Sequence, residues 1–378
     1  MFSSRLAWGT SRNSLVEALE ARRNASKPVL DLTQSNPTQA GIIYPDSLLA
    51  GFSDKRSMHY DPDPRGLPFS RECIAAHFGC AADRVMLTAS TSEAYAWLFK
   101  LLCNPGDEVL VPQPSYPLLD YLAALESVVV KPYPLRYHEG WWLDFEDLEK
   151  AITSRTRAVV VVNPNNPAGS YLKRTELARL NEICLKRDLA IISDEVFSGY
   201  SLTEVPTRCP TLIGNEVALT FCLNGLSKLI GLPQMKLGWM IVSGPQSQDA
   251  LVNLELIADT YLSVGTPVQY ALPSLLALQT NIQQQIKERC LANLAFLQSQ
   301  MRVLRVEGGW YSTIEVPRKY TGEEWALRLL DEHGVLTQPG YFYDFEQDCY
   351  LVLSLLTESG AFQEGARRIA SATTLLFD

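Results

Sequence analysis

The stretch RAVVVVNPNNPAG, residues 157–169, runs apolar from Ala158 to Val162 and then breaks into two Asn-Pro steps and a glycine. A strand wetted on one face alternates apolar and polar residues. Four consecutive valines fit a strand covered on both faces. The prolines and asparagines that follow bar its continuation and mark a tight connection. The same type of segment recurs on either side: RVMLT (84–88), DEVLVP (107–112) and SVVVKPYP (127–134) before it, LAIIS (189–193), VALTFC (217–222) and KLGWMIV (236–242) after it. Between them lie segments of helical spacing, namely 90–103, 116–125, 144–152 and 175–188. Strands alternating with helices predict an α/β, three-layer fold around a mostly parallel, seven-stranded sheet.

Helical patterns follow at 247–262, 267–280 and 281–302, and a mixed strand-and-helix tail closes the chain. The tail reads as a smaller α+β domain. The expected division is an N-terminal arm contributing to the small domain (1–45), a large domain (46–280) and a small C-terminal domain (281–378). A short amphipathic helix is predicted at 14–24, before the extended piece VLDLTQSNPT (29–38).

The bulk properties exclude several classes of function. The 378 residues are 47% hydrophobic and 20% charged, with a net charge of −9. No Lys/Arg-rich run is present, which argues against nucleic acid and anionic membranes as partners. No apolar run approaches the roughly 20 residues of a membrane span, and MFSSRLAWGTSRNS lacks an apolar signal core. Eight cysteines without a CxxC pair read as reduced thiols of a cytoplasmic protein, and four scattered histidines show no metal-ligand spacing.

Open α/β sheets bind ligands beyond the carboxyl ends of their strands. Polar residues collect at those ends. Thr88, Ser90, Thr91 and Ser92 follow RVML; Asn163, Asn165 and Asn166 follow the valines; Asp194 and Glu195 follow LAIIS; Asn224, Ser227 and Lys228 follow ALTFC. Lys228, set among Leu, Ile, Gly and Pro, is expected to have a lowered pKa and to be nucleophilic. Ser90–Ser92 at a helix start suit a phosphate, although plain helix capping is an alternative. Asn163 and Asn165 read as turn residues, and Glu195 as structural. Tyr116, in the loop PQPSYP, could stack on a flat ring. A nucleophilic lysine, an acid, a phosphate cradle and a stacking face together match the needs of pyridoxal 5′-phosphate.

In these same segments the chain resembles the class I/II, aspartate-aminotransferase-like (fold type I) enzymes that depend on pyridoxal phosphate. The matching stretches run in order through nearly the whole chain: YDPDPRG (60–66), TASTSEA (88–94), NPGDEVLVPQPSYP (104–117), VVNPNNPAG (161–169), SDEVFSGY (193–200) and GLSKLIGLPQMKLGW (225–239). The resemblance implies that Lys228 forms the Schiff base and then shuttles a proton. It implies that Asp194 pairs with the pyridine nitrogen, Asn166 donates to the ring oxygen and Tyr116 stacks on the ring. Ser90, Thr91, Ser92, Ser227 and Lys236 would surround the phosphate. Tyr60 would reach the phosphate of a neighbouring subunit, which implies a homodimer. The expected reaction moves an amino group from an amino acid or amine donor to a keto acceptor. Elimination, decarboxylation or racemisation on the same cofactor, and a non-catalytic regulator with this fold, are the alternatives.

Four positions depart from the resemblance. Lys236 stands for an arginine beside the phosphate, Gly225 for a serine, and Phe197 for a tyrosine whose hydroxyl would reach the ring oxygen. Val352, in YLVLSLL, stands for the arginine that clamps a substrate carboxylate.

Overall fold

The computed structural model describes residues 2–6 and 12–374; residues 1 and 7–11 of the expected N-terminal arm lie outside the described residues. The described strands are β1 (Leu30–Asp31), β2 (Val85–Thr88), β3 (Glu108–Gln113), β4 (Val129–Tyr137), β5 (Trp141–Leu143), β6 (Thr156–Val162), β7 (Ala190–Asp194), β8 (Thr220–Gly225), β9 (Gly238–Ser243), β10 (Tyr311–Glu315), β11 (Val335–Leu336), β12 (Gln338–Pro339) and β13 (Tyr350–Ser354).

The large sheet has the order β2-β9-β8-β7-β6-β3-β4-β5. Strands β4, β3, β6, β7 and β8 run parallel to their neighbours in that series, and β9 runs antiparallel to both β8 and β2. All seven expected strands are present. The sheet has eight, which corrects the expected seven: β5 folds back antiparallel on the outer edge of β4. Its three residues are too few for a periodic signal. Only the alternation of buried Trp141, exposed Trp142 and buried Leu143 shows a strand with one wet face.

The valines of β6 show why their run is unbroken. Val159 and Val161 enter one apolar cluster with Leu180 and Ile183, from the helix Arg174–Arg187. Ala158 and Val160 enter another with Leu98 and Leu254, from the helices Thr91–Leu102 and Ser247–Asp259. Successive side chains thus face opposite layers, and both layers are dry. Strand β8 begins three residues later than VALTFC suggests: Val217 is exposed, and pairing with β7 starts at Thr220. It therefore extends to Gly225 and delivers the Lys228 turn directly at its end.

The second unit of sheet is antiparallel, β10-β13-β12. Strand β1 pairs in parallel with β11, Leu30 opposite Val335. The Ser354 N–H donates to the Leu32 carbonyl at 2.7 Å and its hydroxyl to the Gln34 carbonyl at 2.6 Å. Residues 30–35 are thereby bound to the C-terminal segment. Among the described residues no helix is long and apolar enough to cross a membrane, no group of side chains could hold a metal ion, and all eight cysteines are free thiols.

Candidate active site

Strands β6, β7 and β8 run parallel, so their carboxyl ends open on one edge. A cleft of about 510 Å³ lies there. Nine of the ten expected residues line it: Ser90, Thr91, Ser92, Tyr116, Asn166, Asp194, Ser227, Lys228 and Lys236. Tyr60 does not. It is 82% exposed and lines a separate depression with Asp61 and Asp63.

Lys228 lies in the helical turn Leu226–Leu229. Tight anchors fix that turn: Tyr200 donates its hydroxyl to the Lys228 carbonyl at 2.6 Å, and Gln283 donates to the Leu229 carbonyl at 2.9 Å. The Asn224 amide accepts from Gly225 N–H at 2.7 Å and donates to the Glu195 carbonyl at 2.9 Å. The amine stands 5.1 Å from the Trp310 ring and 5.7 Å from Phe197. Among the described residues no carboxylate forms an ion pair with it. Burial lowers its pKa, and the charge of Asp194 partly restores it.

Asp194 ends β7. Burial pushes its carboxyl up to about 6, against the pull of the Val196 N–H, the Tyr95 hydroxyl and the Lys228 charge. Tyr95 donates to Asp194 Oδ2 at 3.2 Å. Burial and the neighbouring carboxylate hold the Tyr95 phenol well above its usual range, so it remains a donor.

Asn166 is buried, and its side-chain oxygen has no hydrogen-bond partner among the described residues. Its neighbours differ. Asn163 bonds the Cys209 carbonyl and Leu172 N–H, and Asn165 bonds the Pro114 carbonyl and Ala168 N–H, so both shape the turn. Glu195 accepts from Ser193, Thr211 and Leu212 and is structural.

At the other end, Ser90 caps the helix Thr91–Leu102, its hydroxyl accepting from Glu93 N–H at 3.2 Å. The capping reading therefore holds for Ser90, whereas the Thr91 and Ser92 hydroxyls make no hydrogen bond among the described residues. With Lys236 beside it, this helix start combines free N–H groups with a positive charge. Gly225 and Gly238 face each other across β8 and β9. A Cβ on Gly225 would lie 3.0 Å from Gly238 Cα and 3.0 Å from the Leu237 carbonyl oxygen, so a serine there would require the facing strand to give by a few tenths of an ångström. A Cβ on Gly238 would lie 3.0 Å from the Ser90 carbonyl carbon and 3.1 Å from Thr91 N. Gly238→Ala is therefore expected to shift the helix start, costing about 1–3 kcal/mol and weakening cofactor affinity. Thermal unfolding and cofactor titration check this.

Ser35, Tyr95, Tyr311, Gln338 and Tyr343 also line the cleft, without a strand-end signal in the sequence. Tyr95 carries a helical signal instead: it lies four residues after Thr91 and three after Ser92, on the same helix face. The other four come from segments remote in sequence.

The residues fit pyridoxal phosphate on the structure's own terms. Among the described residues a partly buried amine and a buried carboxylate form no ion pair, an amide oxygen is unpartnered, and a helix start with free hydroxyls shares the cleft with a second lysine. Each is a group whose cost of burial a bound cofactor would offset.

The family model "Aminotransferase class I and II" matches residues 27–358. The chain is 31% identical over 374 residues to an arginine–pyruvate transaminase of Pseudomonas aeruginosa, covering 93% of this chain and 91% of that protein. It is 25% identical to human tyrosine aminotransferase, over 90% of this chain and 80% of that protein. The solved alanine aminotransferase of Pyrococcus furiosus has the same fold, with a TM-score of 0.88, 24% identity, and coverage of 99% of this chain and 100% of that one. With matched segments running through the sheet and the cleft alike, the chain belongs to the class I and II aminotransferases of fold type I, and is a pyridoxal-phosphate-dependent transaminase.

Proposed function

We propose that Lys228 is the residue that holds the cofactor and moves the proton in this transaminase, with Asp194 as its partner across the cleft. The observation that carries this is the pairing itself: an amine of lowered pKa and a carboxylate, delivered to one cleft by the adjacent parallel strands β8 and β7. Pyridoxal phosphate supplies the aldehyde that takes up the donor's nitrogen and the ring that draws electrons from the donor's reacting carbon.

The chain's residues do the rest. Lys228 Nζ, its pKa lowered by burial, takes a proton from the donor carbon and returns it on the other side of the transfer. Asp194 holds a proton on the ring nitrogen. Asn166 orients the ring oxygen, and Tyr116 covers the ring from the cleft mouth. Thr91, Ser92, Ser227 and Lys236 bind the phosphate, with Ser90 contributing as the cap that fixes the helix start. Phe197, buried against Trp310 with ring centroids 5.2 Å apart, offers no hydroxyl to the ring oxygen. Borohydride reduction of the coloured holoenzyme followed by peptide mapping is expected to place the cofactor on the peptide carrying Lys228. Attachment elsewhere overturns the assignment.

Tyr95 positions Asp194. Its hydroxyl favours the ionised carboxylate, so Tyr95→Phe is expected to raise the pKa of Asp194 in the cofactor-free protein. A titration followed by NMR of labelled carboxyl groups reads that shift directly.

The proposal extends to a homodimer. Exposed Met58, Tyr60, Ile43 and Leu49 are large apolar side chains that a second copy would cover, and this would bring Tyr60 towards a neighbour's phosphate. A cytoplasmic location and the division at 45 and 280 belong to the same reading. Sedimentation at micromolar concentration tests the dimer.

A further inference from the structure

Transamination requires the donor's reacting carbon to be held by its other substituents while the nitrogen is transferred. The charges of the cleft are few. Among the described residues its cations are Lys228 and Lys236, its one acid is Asp194, and no arginine lines it. Under the proposed roles these three are engaged by the cofactor.

The end of the cleft facing the small sheet is built differently. Ser35, Tyr116, Tyr311, Gln338 and Tyr343 converge there from separate parts of the chain. Tyr343 donates its hydroxyl to Gln338 Oε1 at 2.5 Å, so that acceptor is already used. Burial pushes the Tyr311 phenol up to about 12 and raises Tyr343 well above its ordinary value, so both stay uncharged. Behind them, Val352 of β13 stands directly opposite Gln338 on one side and Thr313 on the other. Directly opposed residues of antiparallel strands share a face. Val352 therefore presents an aliphatic side chain, fully buried, on the face that carries Gln338 into the cleft. A carboxylate drawn in here would give up water for neutral hydroxyls and the Gln338 amide, with the aliphatic Val352 rather than a cation buried behind them. That exchange is unfavourable without a cation. An uncharged substituent gives up nothing comparable, and Leu118, Leu119 and Leu122 provide apolar wall beside it.

We propose that this end is a neutral subsite, and that the preferred donor is a primary amine with no carboxylate on its reacting carbon. The inference rests on the transaminase reading above and names its substrate class. In the overall exchange the donor R–CH₂–NH₂ is oxidised to the aldehyde R–CHO. Its nitrogen passes to the acceptor carbonyl, which is reduced to an amine, and the carbonyl oxygen balances between the two products. The acceptor occupies the same site on the return, and is an aldehyde or ketone without an adjacent carboxylate.

The test uses the holoenzyme and four matched pairs: L-alanine and ethylamine, L-phenylalanine and 2-phenylethylamine, L-lysine and 1,5-diaminopentane, and L-arginine and agmatine. Loss of the cofactor's visible absorbance in a single half-reaction is the readout. The fastest of the eight donors is expected to be a carboxylate-free amine; an α-amino acid in first place overturns the proposal. If none of the eight converts the cofactor although borohydride traps it on Lys228, the subsite proposal is overturned; if borohydride traps nothing there, the Lys228 reading falls instead. Binding gives a second readout independent of turnover. By calorimetry, 3-phenylpropanol is expected to bind about tenfold or more tightly than 3-phenylpropionate, and the reverse order overturns the proposal. Gln338→Arg adds the missing cation at a half-buried, cleft-lining position. It is expected to shift the ligand preference towards the carboxylate by about tenfold or more, and an unchanged preference overturns the placement of the subsite.

Discussion

Lys228→Ala is expected to fold, to bind pyridoxal phosphate only reversibly, and to lose transamination by about 10³-fold or more, since both the covalent attachment and the proton carrier are removed. Borohydride should then trap no cofactor on the chain. The fold should not suffer. The turn is held by bonds to the backbone carbonyls of Lys228 and Leu229, which the substitution leaves in place. The wild-type amine has a pKa lowered by burial, so the folded state binds its proton less well than the unfolded chain does. Below the unfolded value that difference opposes folding. Cofactor-free Lys228→Ala should therefore melt at or above the wild-type temperature at pH 7. Turnover that survives in this variant removes Lys228 from the reaction.

Asp194→Asn is expected to separate activity from stability. An amide keeps the shape of the side chain but cannot hold a proton on the ring nitrogen as a carboxylate does. A loss of about 10²-fold or more in kcat follows. In the absence of cofactor the sign for stability is opposite. The Asp194 carboxyl is pushed up to about 6 in the folded chain, whereas an unfolded aspartate titrates near 3.9. The folded state thus holds the proton more tightly. Stability contributed by the protonated acid is present below about pH 4, declines as the pH rises to about 6, and is absent above it. Asparagine does not titrate. At pH 8 the cofactor-free variant should exceed the cofactor-free wild type by up to roughly 3 kcal/mol, an advantage that vanishes near pH 4. Denaturant titrations of both proteins at the two pH values, repeated with saturating pyridoxal phosphate, give the comparison. A variant less stable than wild type at pH 8 without cofactor shows that the Asp194 environment is not the apolar one described.

How far the sequence discloses this protein depends on how local each signal is. The strands of the large sheet are legible because burial on both faces writes an unbroken apolar run, as at Val159–Val162. Lys228, Asp194 and Asn166 are legible because each follows such a run, and parallel strands carry their ends to one edge. Strand β5 is not legible, since three residues at a sheet edge carry no period. The site residues Ser35, Tyr311, Gln338 and Tyr343 are not legible either. They reach the cleft through pairing between distant segments, and no spacing along the chain marks that. Ser90 is an intermediate case: the sequence places it at the helix start, and only the geometry shows its hydroxyl spent on Glu93 N–H. Val352 could be singled out by the resemblance alone, whereas its setting, opposite Gln338 and Thr313, requires the register of the small sheet.

The parallel pairing of Leu30–Asp31 with Val335–Leu336 bears on how the polypeptide is made. A ribosome releases residue 30 long before residue 335 exists, so the early segment must wait unpaired for most of translation. The eight-stranded sheet, complete by residue 243, can assemble in the meantime. Ser35, which travels with that early segment, reaches its place only when the late strands arrive. Nascent chains arrested before residue 335 should therefore leave residues 30–35 open to protease while the central strands resist it.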